Sequence, residues 1–172
     1  MQGQALRKHI AEDCHHDLDM HAAWIESVSK GNILEIGVRT GISTAAWLLG
    51  IEANSGHLYS VDINPGCEGS IGQHPQWTFL AGDSKNVGWL LSKIPAKLDV
   101  LFIDGDHSYE GVKSDLDNYG HLVAPGGRII LHDVLSGYDP GVRQAFDEYV
   151  DRTKYSAEIY ASWVGLGEIL IP

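Results

Sequence analysis

The chain has 172 residues, of which 44% are hydrophobic and 20% are charged, and its formal net charge is −11 at pH 7. This composition predicts a single globular domain, residues 1–172, and excludes a disordered chain. An acidic chain is a poor partner for nucleic acid, whose phosphates are bound by clustered lysine and arginine. No stretch approaches the ~20 apolar residues that span a bilayer, so we also expect no membrane partner. Two cysteines without a pairing pattern, and no apolar leader, favour a cytoplasmic location.

The first 30 residues predict an N-terminal helical segment, ahead of a core domain over residues 31–172. Within this segment, Asp17–Lys30 carries apolar residues at helical spacing: Leu18, Ala22, Ile25 and Val28. We expect this helix to cover the sheet edge or part of a ligand pocket. Histidines near Cys14, namely His15, His16 and His21, have a spacing that a metal site would accept, but we expect this stretch to be solvated and to hold no metal.

Short apolar runs then alternate with amphipathic segments of helical length. The runs predict five buried strands: Asn32–Gly37, His57–Asp62, Trp77–Ala81, Leu98–Asp104 and Arg128–His132. The intervening segments predict three helices: Ser43–Ala53, Ser84–Ile94 and Tyr109–Val123. This alternation is typical of βαβ units in a mostly parallel sheet. Between the last helix and strand, Pro125–Gly127 predicts a turn.

The last third of the chain departs from this alternation. Gly141–Val150 predicts a helix, and Tyr155–Ala161 and Val164–Ile171 predict two strands separated only by Ser162–Trp163. Such a short link allows a hairpin but no crossover helix, so the last strand should run antiparallel. A parallel sheet closed by one antiparallel strand argues against a plain dinucleotide-binding fold.

A glycine-containing turn, LEIGVRTGIST, follows the first strand. Gly37 and Gly41 let a ligand approach the backbone, and a helix starting near Ser43 offers free N–H groups and the positive end of its dipole. A dinucleotide fingerprint requires GxGxxG, but Arg39 stands where the middle glycine would fall. Glu35 precedes the first glycine by two residues and suits a cationic ligand end better than a pyrophosphate. S-adenosylmethionine (SAM) carries both an ammonium and a sulfonium group.

Acidic residues also follow the second and third strands. Asp62, with Ile63 after it, lies about 20 residues beyond the turn, where a carboxylate accepts hydrogen bonds from ribose hydroxyls in NAD and SAM sites alike. Asp83 and Ser84 could meet an adenine edge, although Asp83 alone is equally explained as the N-cap of the next helix. The ends of parallel strands share one sheet edge, where open α/β folds bind ligands.

A second set of polar residues follows the fourth and fifth strands. Asp104 and Asp133 should meet at the same sheet edge, where two carboxylates can hold a hard cation such as Mg²⁺ and so activate a substrate hydroxyl. His132 is a candidate third ligand, although imidazole favours softer ions; the alternative is a buried, hydrogen-bonded histidine. His107, three residues after Asp104, is a candidate general base. Asp106 is explained equally well as a turn residue.

The chain resembles class I SAM-dependent methyltransferases in LEIGVRTGIST, VDINP, AGDS, DVLFIDGDHSYEGVKSDLDNYGHLVAPGGRIILHDV and the closing hairpin. Its FIDGDHSYEGV…PGG…LHDV run is similar to the metal-dependent small-molecule O-methyltransferases, a branch that includes macrolide-sugar and cephalosporin-type enzymes. The resemblance covers about residues 30–171. It implies a Rossmann-like three-layer α/β sandwich with a seven-stranded sheet of order 3-2-1-4-5-7-6, in which strand 7 is antiparallel.

The resemblance also implies roles for individual residues. It implies SAM contacts at Glu35, Gly37, Gly41, Asp62 and Asp83. It implies metal contacts at Asp104 and Asp133, and in some members of the branch a histidine base at the position of His107. Two departures affect the metal: sugar-modifying relatives often have a carboxylate where His132 stands, and catechol-type relatives have Asn where Val134 stands.

We therefore predict a SAM-dependent methyltransferase that methylates a hydroxyl of a small molecule or sugar, with or without a divalent cation. The predicted cofactor contacts are Glu35, Gly37, Arg39, Gly41, Ser43, Asp62, Ile63, Asp83, Ser84 and Asp104. The predicted metal ligands are Asp104, His132 and Asp133, and the predicted catalytic residues are His107 and Asp104. The alternatives are a catalytically silent, methyltransferase-like binding module and an NAD-dependent oxidoreductase. Little sequence is left to cover the active edge, which is compatible with a homo-oligomer.

Overall fold

The computed structural model describes residues 2–13, 18–161 and 164–172. Two helices, α1 (Gln2–Asp13) and α2 (Leu18–Val28), precede the first strand, as the predicted N-terminal helical segment requires. The remaining elements are β1 (Gly31–Ile36), α3 (Ile42–Asn54), β2 (Gly56–Asp62), β3 (Trp77–Ala81), α4 (Val87–Leu91), β4 (Leu98–Ile103), α5 (Tyr109–Tyr119), β5 (Val123–His132), α6 (Pro140–Thr153), β6 (Ser156–Tyr160) and β7 (Leu166–Leu170). Cys14, His15, His16 and Asp17 lie outside the described residues, as does the predicted link Ser162–Trp163.

The seven strands form one sheet in the order β3-β2-β1-β4-β5-β7-β6. The five strands from β3 to β5 pair in parallel, whereas β7 is antiparallel to both of its neighbours. The predicted strand order and the antiparallel last strand are therefore confirmed. Because β6 and β7 pair as a hairpin, β7 enters the sheet beside β5 in the reverse direction.

Helices cover both faces of the sheet and make a three-layer α/β sandwich. Ile33 and Leu34 of β1 are both fully buried, the first with α1, α2 and α3 and the second with α5 and α6. Burial on both faces explains why the parallel strands are nearly continuous apolar runs. On the first face, the Trp47 ring packs edge-on against Phe102, with centroids 5.5 Å apart. Among the helices described, none has both the length and the hydropathy needed to cross a membrane.

The start of β5 differs from its prediction. The strand begins at Val123 rather than Arg128, because Val123 pairs with Leu98 before the predicted turn. The next pair joins Val100 to Arg128, so residues 124–127 form an irregularity in the ladder, as in a β-bulge. The expected turn is present, but it lies within the strand.

Two helices are shorter than predicted. The Asp83 carboxylate accepts the backbone N–H of Lys85 at 2.9 Å, and the Asp83 carbonyl accepts that of Asn86 at 3.0 Å. This local turn replaces the first part of the helix predicted over Ser84–Ile94, and α4 begins at residue 87. The helix α5 ends at Tyr119, and a 3₁₀ turn over Gly120–Leu122 leads directly into β5.

Candidate active site

A cavity of about 590 Å³ opens at the carboxyl ends of the parallel strands. Residues at or just after the ends of β1, β2, β3, β4 and β5 line it, and the helix α2 closes one side. Eight of the ten predicted cofactor contacts line the cavity: Gly37, Arg39, Ser43, Asp62, Ile63, Asp83, Ser84 and Asp104. The strand order thus brings together residues that are far apart in the sequence.

The turn after β1 fixes the carboxylate of Asp62. Asp62 Oδ2 accepts the backbone N–H groups of Val38 at 2.9 Å and Arg39 at 3.1 Å, and Oδ1 accepts that of Asn64 at 2.8 Å. Partial burial raises the pKa of Asp62, but the backbone donors outweigh burial and the net pKa lies below its ordinary value. An ionised carboxylate held at this place suits the hydroxyls of a ribose.

The two glycines of this turn have different roles. Gly37 has φ 95°, and a Cβ there would overlap the backbone carbonyl of Asp104, so only glycine permits this approach of β1 to β4. Gly41 caps α3 in the left-handed region, and a Cβ there would crowd the hydroxyl of Ser70. Gly37 lines the cavity and Gly41 does not. Gly41 thus has a packing role in this turn, and its contact with the cofactor stays a prediction.

Glu35 lies beneath the turn rather than in the cavity. Its carboxylate is fully buried and accepts hydrogen bonds from the hydroxyls of Ser43 at 2.6 Å, Thr44 at 2.7 Å and Ser60 at 2.6 Å. Burial raises the pKa of Glu35 to about 7, although the three hydroxyls lower it. Of its partners only Ser43 lines the cavity. Without a ligand, the Glu35 side chain is connected to the cavity through Ser43, and its contact with the cofactor stays a prediction.

Asp104, His107 and Asp133 converge at the other end of the cavity. One ligating atom from each of the three side chains lies within 4.8 Å of the other two. His107 Nε2 is 3.2 Å from Asp104 Oδ1 and 3.6 Å from Asp133 Oδ2, and His107 Nδ1 is 3.5 Å from Asp139 Oδ2. Asp133 has φ 64°, a left-handed backbone that is uncommon outside glycine and recurs at functional sites. The predicted meeting of Asp104 with Asp133 is confirmed.

The charges of this cluster favour a cation. The hydrogen bond to Asp104 and the charges of Asp104, Asp133 and Asp139 together raise the pKa of His107 to about 9, against the effect of burial. This raised pKa belongs to the cluster without a cation, so the role of His107 as general base stays a prediction. Two carboxylates and an imidazole are donors that fit a divalent cation. The cluster thus adds His107 to the residues able to hold a metal.

His132 combines the two roles that its sequence position left open. Its Nδ1 lies 3.0 Å from Asp133 Oδ2 and 3.6 Å from Asp104 Oδ1, close enough for the ring to join a ligand set. Its Nε2 lies 3.0 Å from Nδ1 of His21, and only 11% of its side chain is exposed. His132 is therefore a hydrogen-bonded, mostly buried histidine that also borders the carboxylate pair.

The family follows from a direct match. A family model described as a methyltransferase domain matches residues 34–134, more than half of the chain. The chain belongs to this methyltransferase-domain family. The match spans the glycine turn, the Asp62 strand end and the cluster of Asp104, His107 and Asp133.

One relative of this methyltransferase-family chain agrees with the family match. A candidate O-methyltransferase of Mycobacterium sp. (strain JLS) is 28% identical in an alignment 156 residues long that covers 81% of this chain. The chain spans 65% of the length of that relative.

Two solved structures share the fold. The O-methyltransferase from Bacillus cereus in complex with S-adenosylhomocysteine (SAH) has a TM-score of 0.72 and 16% identity, with 98% of this chain and 90% of that chain covered. The MycE methyltransferase of the mycinamycin pathway, in complex with Mg, SAH and mycinamycin VI, has a TM-score of 0.66 and 15% identity, with 88% and 48% covered. The resemblance to class I methyltransferases is thus confirmed at the level of the fold. The family match and the strand order favour this prediction over the NAD-dependent oxidoreductase.

The helix predicted over residues 17–30 to cover the sheet edge or part of a ligand pocket does line the cavity, but His21 was not predicted to belong to the site. His21, Ala22 and Ile25 line the cavity from α2, and His21 is only 4% exposed. The signal was present, because residues 21, 22 and 25 lie on the apolar face of the predicted helix. Lys85 was also missed; its Nζ lies 2.8 Å from Asp106 Oδ2, and that hydrogen bond lowers the pKa of Asp106 to about 2. Asp106 keeps its turn role by accepting the Ser108 N–H at 3.0 Å.

Proposed function

We propose that this chain transfers a methyl group from SAM to a hydroxyl oxygen of a small molecule or sugar. One observation carries the proposal: a single cavity joins the fixed carboxylate of Asp62 at one end to the cluster of Asp104, His107 and Asp133 at the other. A nucleoside site and a cation-favouring acid cluster in one cavity suit a reaction between a bound SAM and an activated hydroxyl. The SAH in the Bacillus cereus structure, and the SAH, Mg and mycinamycin VI with MycE, support it by analogy.

The residues at the strand ends suit the parts of SAM. Asp62 is suited to the ribose hydroxyls, and the exposed side chain of Ile63 is suited to an adenine face. Asp83 and Ser84, after β3, are suited to the adenine edge. The turn that contains Arg39, with Ser43 behind it, is suited to the methionine end. These roles leave the cluster free for the methyl acceptor.

The reaction forms a bond from the acceptor oxygen to the methyl carbon and breaks the bond from that carbon to sulfur, which leaves SAH. A divalent cation at Asp104 and Asp133 would supply the positive charge that orients the hydroxyl and lowers its pKa. His107 lies at the same carboxylates and can accept the hydroxyl proton only as the neutral imidazole. A positive charge beside it favours that form.

Calorimetry with SAH tests the methyl-donor site. We expect the wild type to bind SAH and Asp62→Asn to bind it at least tenfold more weakly, because the amide loses both the charge and one acceptor oxygen toward the ribose. Asp147→Asn, on the exposed face of α6, is the matched control and should bind like the wild type. A wild type that binds NADH but neither SAM nor SAH would overturn the proposal.

Titration with Mn²⁺, followed by the loss of its free EPR signal, tests the cation. We expect Asp104→Asn and Asp133→Asn to abolish binding and Asp147→Asn to leave it unchanged. An acceptor panel of sugars and phenols, with and without EDTA, then measures methyl transfer. Activity that is unchanged in EDTA would remove the cation from the mechanism and leave the methyltransferase proposal standing.

A catalytically silent binding module is the second candidate. The raised pKa of His107 in the absence of a cation favours it, because a protonated imidazole cannot accept the hydroxyl proton. SAH binding together with no methyl transfer to any acceptor, with Mn²⁺ present, would support this alternative. A homo-oligomer and a cytoplasmic location stay predictions from the sequence, and light scattering tests the first of them.

A further inference from the structure

We propose that His21 of α2 is a positioning residue that holds the ring of His132 so that its Nδ1 faces Asp104 and Asp133. The importance of this contact for methyl transfer rests on the proposed function, whereas the contact itself does not. His21 precedes the family match by thirteen residues, and α2 supplies it to a cluster built otherwise from β4, β5 and the loops after them.

A contact between two ring nitrogens joins the imidazoles of His21 and His132, which are nearly perpendicular. His21 Nδ1 lies 3.0 Å from His132 Nε2, the ring centroids are 5.0 Å apart, and the ring planes are inclined by 86°. On the far side of its ring, His132 Nδ1 lies 3.0 Å from Asp133 Oδ2 and 3.6 Å from Asp104 Oδ1. His132 is thus held at both nitrogens, by carboxylates on one side and by His21 on the other.

The chemistry of imidazole makes a polar partner at Nε2 necessary. Ionised carboxylates only accept hydrogen bonds, so His132 Nδ1 carries a proton when it faces them without a cation. Nε2 of the neutral ring must then accept a hydrogen bond from the Nδ1–H of His21. When a cation takes a lone pair from Nδ1, Nε2 carries the proton and His21 must accept it instead. His21 therefore needs both to donate and to accept at Nδ1, which an imidazole or a carboxamide can do and a hydrocarbon cannot.

The packing of α2 keeps His21 in place. His21 is 4% exposed, and its helix neighbours Ala22 and Ile25 are buried at 6% and 2%. All three line the cavity, so the helix lies directly against the site. Without this partner, a nitrogen of the mostly buried His132 ring would lose its hydrogen bond, so the ring would turn or change its tautomer.

Imidazole ¹⁵N NMR of the metal-free protein tests the contact directly. In the wild type and in His21→Asn, whose carboxamide falls near the position of Nδ1, we expect the same pattern of protonated and bare nitrogens for His132. In His21→Leu we expect those two nitrogen signals to shift. His132 signals that are identical in the wild type and His21→Leu would overturn the proposal.

A second pair of variants keeps the test decisive if His21→Leu does not fold. His21→Gln is polar like His21→Asn, but its carboxamide reaches one bond further and misses the Nδ1 position. We expect only the Asn variant to restore the wild-type signals of His132. Equal behaviour of the Asn and Gln variants would overturn the proposal, since polarity alone would then suffice.

Binding of Mn²⁺ measures the consequence. Loss of a partner behind a metal-bound histidine typically weakens metal affinity by about 10- to 100-fold, and we expect such a loss in His21→Leu with recovery in His21→Asn. Glu26→Gln, on the same helix but paired with Arg7 on α1, is the matched control and should bind like the wild type. If the wild type binds no Mn²⁺, the cation proposal fails while the NMR comparison still decides the role of His21. If it does bind and His21→Leu keeps full affinity, His21 does not position a ligand.

The kinetic signature separates positioning from loss of structure. In a methyl-transfer assay we expect His21→Leu to lower kcat while the KM for SAM stays constant, because the methyl-donor residues lie at the other strand ends. His21→Asn should recover kcat. A rise in the KM for SAM with kcat unchanged would instead mark a general distortion of the cavity and would overturn the proposal.

Discussion

Tyr119 holds the segment after β3, which lines the cavity, through one hydrogen bond. Its ring is fully buried, and its hydroxyl donates to the carbonyl of Ser84, a residue proposed for the adenine edge. We expect Tyr119→Phe to lower the free energy of unfolding by about 1–3 kcal/mol, because it leaves the carbonyl without its partner. We also expect a weaker affinity for SAH.

Urea unfolding and SAH calorimetry of the same preparations measure both effects. Tyr138→Phe is the control, since that tyrosine is 92% exposed. If Tyr119→Phe is as stable as the wild type, the hydroxyl contributes nothing to holding the turn.

Gly37 sets how closely β1 approaches β4. A Cβ there would overlap the backbone of Asp104, and the backbone already has φ 95°. We expect Gly37→Ala to destabilise the protein far beyond the ~1 kcal/mol of a left-handed alanine alone. Gly126→Ala isolates the conformational cost, since Gly126 has φ 79° with open space at its Cβ.

Thermal unfolding of the two alanine variants makes the comparison. Gly37→Ala should also lose SAH binding, whereas Gly126→Ala should keep it. Equal destabilisation of the two would mean that the approach of β1 to β4 is not tight.

The elements that the sequence predicted well are those with strong local signals. The apolar runs predicted β1 and β4, and the short link before the last strand predicted its antiparallel direction, whereas the strand order came from the family resemblance. The errors arose where a turn and a regular element overlap. Val123 joins β5 because it pairs with Leu98, a contact 25 residues away that no local pattern contains.

The site residues divide in the same way: those at strand ends were predicted from the local sequence, and those placed by contacts distant in sequence were not. Asp62, Asp104 and Asp133 were predicted because strand ends share an edge of a parallel sheet. The burial of Glu35 was not predicted, because its three hydroxyl partners come from two different elements, α3 and β2. His21 was assigned to solvated surface, because its contact with His132 spans 111 residues.

At the scale of the whole molecule, Glu35 makes stability depend on pH. Its pKa rises from 4.5 in the unfolded chain to about 7 in the folded protein. The folded protein therefore binds more protons between these values, and its stability falls as pH rises through this window, by at most about 3 kcal/mol. Above pH 7 the cost is fully present.

Urea unfolding of Glu35→Gln from pH 4 to pH 8 tests this dependence. We expect the variant to gain stability relative to the wild type as pH rises from about 4.5 to about 7, and then to show a constant difference. Glu12→Gln, at an exposed position, should show no such trend. A difference that does not change with pH would mean that Glu35 has the same pKa in the folded and unfolded protein.

Ligand binding should stabilise the whole fold. At an SAH concentration of 100 times the Kd, the free energy of unfolding rises by about 2.7 kcal/mol. For a chain of this size that corresponds to a rise in Tm of roughly 5–11 °C, measurable by scanning calorimetry. Asp62→Asn should lose most of the shift at the same concentration, and NADH should produce none.

The wall that α2 adds to the cavity lies outside the part of the chain that defines the family. The family match begins at residue 34, whereas Ala22 and Ile25 face the cavity from residues 18–28. The methyl-donor site and the wall beside it are thus encoded in separate stretches of sequence. We expect a chimera that exchanges only residues 22–28 for those of a relative, and so keeps His21, to change which acceptors react and to leave SAH affinity intact.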